Sequence, residues 1–231
     1  NIDGVDYSVS YGYDSYSRLE TSTFPSGFAV RNVFNSYGYL SEVRRNDNNS
    51  LIWQALSINA FGQLTQYKCG NNLTTTLTYD NVGLLSNIQT GSVQNMEYSF
   101  NPATGNLTSR KDNLRNLTES FTYDNLNRLT GVNGPSSLTM SYFTNGNINT
   151  KTSVGTYSYD GIKPHAVTAV TNPDAVIPTT TQRITYNSFN KVDSIIQANL
   201  IYTISYGANN QRNVSKLFNN GSLQKTIHYA D

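Results

Sequence analysis

Two histidines and one cysteine, His165, His228 and Cys69, bound the nucleophilic and metal chemistry open to this 231-residue chain. A relay triad or a zinc site needs such groups converging on one point. His165 lies in Lys163-Pro164-His165-Ala166-Val167, a stretch that reads as a turn variant. His228 alternates out of phase with Ile227 and Tyr229, so on a strand it faces the opposite, exposed side. Cys69 runs into the turn Gly70-Asn71-Asn72 with no His nearby in sequence, and reads as a bystander thiol. Neither a phosphate-binding Gly-rich loop nor a Cys-x-x-Cys pair occurs. The recurring carboxylates Asp14, Asp80, Asp124 and Asp160 raise paired acid–base work or a calcium ladder. Asn substitutes freely in the same slot, at Asn35, Asn59, Asn101 and Asn187, which favours a turn hydrogen bond instead. The expectation is a chain with no catalytic residue, no cofactor and no metal.

Those Asx residues sit in a recurring unit. Each follows an aromatic or aliphatic head residue, and the heads are Tyr13, Phe34, Ile58, Tyr79, Phe100, Tyr123, Tyr142, Tyr159, Tyr186, Tyr206 and Tyr229. Their spacings are 21, 24, 21, 21, 23, 19, 17, 27, 20 and 23 residues. Self-similarity at this period signals stacked supersecondary units. Ahead of the heads the sequence alternates with period two, as in Met96-Glu97-Tyr98-Ser99-Phe100 and Leu138-Thr139-Met140-Ser141-Tyr142. Alternation on a strand puts large residues on one face and Ser, Thr or Glu on the other.

An Asx side chain after the head accepts from a backbone N–H two residues on and so starts a turn. Three residues later stands Gly83, Gly38, Gly62, Asn127 or Asn190, types that tolerate positive φ. An apolar residue two further on, such as Leu19, Leu85, Leu129 or Val192, opens the return strand. Each unit is therefore a β-hairpin with an aromatic at its neck.

Tyr123-Asp124-Asn125-Leu126-Asn127-Arg128-Leu129 and its echo from Tyr13-Asp14 to Arg18-Leu19 resemble the YD repeat of RHS-repeat proteins. Tyr79-Asp80 with Gly83 is a further clear copy. Tyr159-Asp160 through Thr168 is similar to a variant repeat near the end of such arrays. The resemblance spans essentially the whole chain and rests on recurrence. It implies an all-β array of antiparallel hairpins, about eleven repeats over residues 1–231, forming a curved, spiralling sheet in the wall of a longer hollow shell. Related YD shells occur in Tc-toxin components and teneurins. The family's core ends in an Asp-Pro-containing self-cleavage motif before a variable effector. Nothing here matches it, and Asn101-Pro102 and Asn172-Pro173-Asp174 read as turns.

Composition agrees with a wetted sheet: charged residues are 13% and seventeen tyrosines supply flat amphipathic area. A net charge of +1 gives no footprint for nucleic acid or an acidic membrane. The longest apolar stretches fall short of the 18 residues a spanning helix needs, so no membrane insertion is expected. Leu51–Ile58 fits the repeat spacing as a strand. Residues 167–182, with Pro173, Pro178 and Thr179-Thr180-Thr181, read as an insertion loop where a ligand could be placed. The Asn-x-Ser/Thr triplets at Asn48, Asn72, Asn106, Asn116, Asn213 and Asn220 are expected by chance in so Asn-rich a chain.

Two functions follow from the resemblance. One is a non-enzymatic wall segment of a secreted or cell-surface bacterial RHS protein, its partners being other parts of that protein or an enclosed toxin or effector. The other is a cell-surface adhesion or partner-binding module. A strip with open edges is also expected to need further sequence or a partner to stay soluble.

Overall fold

The computed structural model describes residues 7–161, 163–177 and 182–229. Every regular element among them is a β-strand, and no helix occurs. Of the sequence readings above, those resting on 178–181 lie outside the described residues.

The chain forms two compact units, residues 1–171 and 172–231. The first holds a sixteen-stranded antiparallel sheet in which every strand pairs with its sequence neighbours, from Ser10–Tyr13 to Val167–Val170. That sheet is curved and open. The second unit is a five-stranded meander from Gln182–Tyr186 to Ser222–His228. Leu51–Ile58 is a single strand. A pure meander needs only short local connections, which is what a turn signal every ten residues supplies.

The alternation sorts the two faces. On one, Leu77 lies opposite Ile88 and Ile88 opposite Met96; farther along, Phe121 faces Val132 and Val132 faces Leu138. On the other, Thr78 opposes Asn87 and Asn87 opposes Glu97. Trp53 and Tyr67 meet on the apolar face with ring centroids 6.3 Å apart. A single sheet cannot close this face, so its large residues stay half-buried. Among the described residues the one buried hydrophobic side chain is Ile204, 7% exposed, in the second unit.

The insertion-loop reading of 167–182 needs correction at its start. Val167–Val170 is a strand, with Val167 opposite Tyr159 and Val170 opposite Tyr157. The Pro residues farther on masked this in the sequence. Beyond it, Asn172 folds its side chain onto Ile177, accepting from the N–H at 3.0 Å and donating to the carbonyl at 2.7 Å.

Candidate functional site

The repeating turn is the place where the chemistry-bearing residues gather. In the Tyr123 repeat, Asp124 Oδ1 accepts from the N–H of Leu126 at 2.9 Å and of Arg128 at 3.0 Å. The Asp124 N–H donates to the Arg128 carbonyl and the Asn127 N–H to the Asp124 carbonyl, both at 3.0 Å. Asn127 takes φ 59°, the left-handed value that closes the turn. Asp80 repeats the pattern with Val82 and Leu84, and Gly83 there has φ 85°. Asp14 does so with Tyr16 and Arg18, Ser17 taking φ 61° in the Gly/Asn slot. The amide oxygens of Asn35, Asn59 and Asn187 hold the same pair of N–H groups. An oxygen that accepts twice needs no charge, which is why Asn and Asp interchange.

Each of the ten paired heads carries a β-bulge. Tyr123 faces Leu129 while Thr122 faces Gly131, so Thr130 is the extra residue; Tyr79 faces Leu85 and Thr78 faces Asn87 likewise. The extra residue is often a hydroxyl. Ser41, Thr108 and Thr168 donate to the carbonyls of Val33, Ser99 and Ser158, each just ahead of its head. The sequence carried this signal as a recurring Ser or Thr after the return-strand aliphatic.

A second set of bonds joins one repeat to the next. The hydroxyls of Tyr79, Tyr142, Tyr159 and Tyr206 donate to the carbonyls of Leu64, Leu129, Ile148 and Val192, at 2.7–3.0 Å. Each acceptor opens the return strand of the preceding repeat. Where the head is Phe34 and has no hydroxyl, Asn32 Nδ2 donates to the equivalent carbonyl of Leu19 at 3.0 Å.

Going the other way, the residue before that aliphatic reaches forward. Arg128 is held by Asp124 Oδ2 at 2.7 Å from both Nε and Nη2, and its guanidinium lies over the ring of Tyr142. Arg18, held by Asp14, lies over Phe34 at 4.2 Å. Lys191 lies over Tyr206 at 5.6 Å, and Gln63 donates to the carbonyl of Gly83 at 2.8 Å. In these four repeats the turn thus clasps the next.

The variant repeat uses different parts for the same clasp. Asn147, 8% exposed, donates to the Pro164 carbonyl at 2.6 Å and meets His165 Nδ1 at 2.7 Å. Asp160 Oδ1 lies 3.4 Å from the N–H of Lys163, and the ring of Tyr159 meets Phe143 edge-on at 6.1 Å. His228 is exposed, and Cys69 lies opposite Trp53 as a free thiol. The structure thus brings His165 to Asn147 and leaves His228 and Cys69 apart from it. Among the described residues, no three His, Cys, Asp or Glu side chains gather closely enough to hold a metal ion.

Electrostatics follow the clasp. The Arg128 N–H, against some desolvation and aided by the guanidinium, holds the Asp124 carboxyl below its ordinary value. At Asp14 desolvation is the largest influence and pushes upward, but hydrogen bonds from Arg18 and Tyr16 outweigh it and the net shift is down. Tyr229 is lowered by its bonds to Ser215 and Tyr202. The two carboxylates are thus fixed within their own turns.

The same strip is found in much larger assemblies. A crystal structure of TcdB2-TccC3-Cdc42 superposes on 96% of this chain with a TM-score of 0.75 at 17% identity. The fold is that of a Tc toxin RHS shell. A Photorhabdus luminescens Tc holotoxin pore carrying a TccC3 mutation covers 91% of the chain, with a TM-score of 0.69 at 16% identity. TcdB2-TccC3 without its hypervariable C-terminal region also covers 91%, with a TM-score of 0.71 at 17% identity. The chain spans only 13–14% of the length of those chains. No protein-family model and no curated protein matches the sequence.

Proposed function

We propose that this chain is a non-enzymatic wall segment of a secreted RHS-type shell that encloses or carries a toxin or other effector polypeptide. Residues 1–231 act in it as one element of about eleven repeats, continuous with further shell. The positions Tyr13, Asp14, Tyr79, Asp80, Gly83, Tyr123, Asp124, Arg128, Leu129, Tyr159 and Asp160 hold its register and have no catalytic task. Its partners are the remainder of the parent protein and the enclosed polypeptide, with neither nucleic acid nor a membrane among them.

The observation that carries this reading is the uncovered apolar face. No hydrophobic side chain of the sixteen-stranded sheet is buried among the described residues, although Trp53, Leu77, Ile88, Met96 and Phe121 line one side of it. A stable domain covers such a face with a second layer. A wall leaves it for a guest or for neighbouring wall. The fold shared with TcdB2-TccC3 supports the same reading.

Limited proteolysis of the parent polypeptide tests it. Enclosed sequence should survive protease under native conditions and become cleavable once the shell is opened by denaturant. A parent protein whose non-repeat sequence is digested at the rate of the isolated segment sinks the enclosure reading.

A further inference from the structure

The meander places alternate connections on opposite rims of the sheet, and the two rims differ. Within the sixteen-stranded sheet the Asx turns all lie on one rim, because each joins an outgoing strand to its return strand. The third residue after the head is the tip of that turn, its N–H tied to the Asx oxygen, so its side chain points outward. At five tips this residue is large and apolar: Tyr16 is 78% exposed, Tyr37 85%, Phe61 85%, Val82 56% and Leu126 68%. Strand spacing puts successive tips about 10 Å apart, with the small Ala103 at the tip between Val82 and Leu126. The opposite rim turns through Ser26, Asn48, Asn71 and Ser136, and its most exposed apolar side chain is Val93, at 63%.

We propose that this apolar rim is a self-association surface, and that it docks row against row on a second copy of this chain. Three features select that occupant. The tips repeat at the pitch of two strands, and a partner offering apolar groups at the same pitch is another rim of the same build. A two-fold axis sets one row antiparallel on the other, so that both rows are covered by one contact. The rim also carries little net charge: Asp14 and Asp124 are neutralised by Arg18 and Arg128, Asn35 and Asn59 carry none, and Asp80 adds a single carboxylate, so two rims meet with little repulsion. Finally, the three exposed aromatics offer roughly 450–750 Å² at about 150–250 Å² each, and Val82 and Leu126 bring the row toward the roughly 800 Å² that one partner gives to a standard stable interface. A lipid surface fits less well, since the basic residues of these five turns, Arg18 and Arg128, are already paired with Asp14 and Asp124. This association is independent of the shell reading.

Sedimentation equilibrium of the parent polypeptide over a micromolar concentration range tests it. The expected result is a monomer–dimer equilibrium. Tyr37→Ser with Phe61→Ser should weaken it by about a hundredfold or more, as loss of two central aromatic anchors does. Both side chains are exposed, so the variant folds, and an unchanged far-UV circular dichroism spectrum checks that. Val93→Ser on the opposite rim should leave the dimer as it is. A wild-type chain that stays monomeric overturns the proposal. So does a dimer that survives the double substitution, which points to pairing of open strand edges, or one that grows without limit. Co-flotation with phosphatidylcholine vesicles through the same two aromatics, with no dimer formed, assigns the rim to a membrane and overturns it too. None of these results touches the protease experiment on the parent protein.

Discussion

The guanidinium of Arg128 lies 4.6 Å from the ring centroid of Tyr142, the head of the following repeat. The same guanidinium closes its own turn on Asp124, so one side chain serves two hairpins. A cation over an aromatic face at a half-exposed site contributes roughly 0.5–1 kcal/mol. A double-mutant cycle of Arg128→Ala and Tyr142→Leu by urea denaturation should return a coupling energy of that size. Additive losses would show the stack to be incidental. Arg115→Ala, which breaks an exposed turn ion pair and leaves no ring uncovered, should cost less than Arg128→Ala.

The hydroxyl ladder makes a sharper test, because one rung is built differently. Removing the phenol oxygen in Tyr79→Phe strands the Leu64 carbonyl and should cost about 1 kcal/mol. Removing the ring in Tyr79→Ala or Tyr123→Ala should cost about 3 kcal/mol. At Leu19 the donor is Asn32, so Asn32→Ala should cost about 1 kcal/mol. Adding Phe34→Tyr in that background should recover part of the loss. If Phe34→Tyr is as damaging with Ala at 32 as with Asn, the hydroxyl does not reach that carbonyl.

Backbone conformation separates Gly83 from Asn127. Gly83→Ala puts a Cβ on a residue at φ +85° and should cost on the order of 1 kcal/mol. Asn127→Gly relaxes φ at the equivalent place and should change stability by only a few tenths. Equal effects in thermal unfolding would mean that the turns do not need the left-handed conformation.

Acid should loosen the turns. Asp124 and Asp14 have folded-state values below their ordinary 3.8, so the stability they add is fully present above that value. It is lost as pH falls through the lowered values. Unfolding midpoints should therefore drop below about pH 4. Asp124→Asn keeps the two turn N–H bonds and gives up the charge together with the Oδ2 bonds from Arg128. Its midpoint should depend less on pH in that window, and a slope equal to wild type would remove Asp124 from the titration.

The hairpin, its turn and its period were written in the sequence because their causes are local. Asp80 reaches N–H groups two and four residues away, and Gly83 closes the turn it sits in, so neither needs knowledge of the rest of the chain. Alternation likewise assigns Leu77 and Thr78 to opposite faces wherever the sheet lies. The run Val167–Val170 failed this test: its turn is lengthened by Pro164 and its residues border a Pro-rich segment, so a paired strand looked like loop.

Contacts between repeats depend on register, and register is set only when hairpins stack. That Tyr142 reaches the carbonyl of Leu129, that Asn32 stands in for a missing hydroxyl at Leu19, and that Arg18 covers Phe34 each follow from a pairing across 13 to 16 residues. The period states that such neighbours exist and leaves open which atoms meet. The bulge at each head shifts the pairing by one residue and so decides that choice. The division after Thr171 is also a matter of packing, since the repeats continue through it in sequence while the strand pairing stops at Val170 and resumes at Gln182. Turn chemistry acts over four residues and is carried by residue type. Stacking acts between hairpins, and its geometry exists only once the sheet has formed.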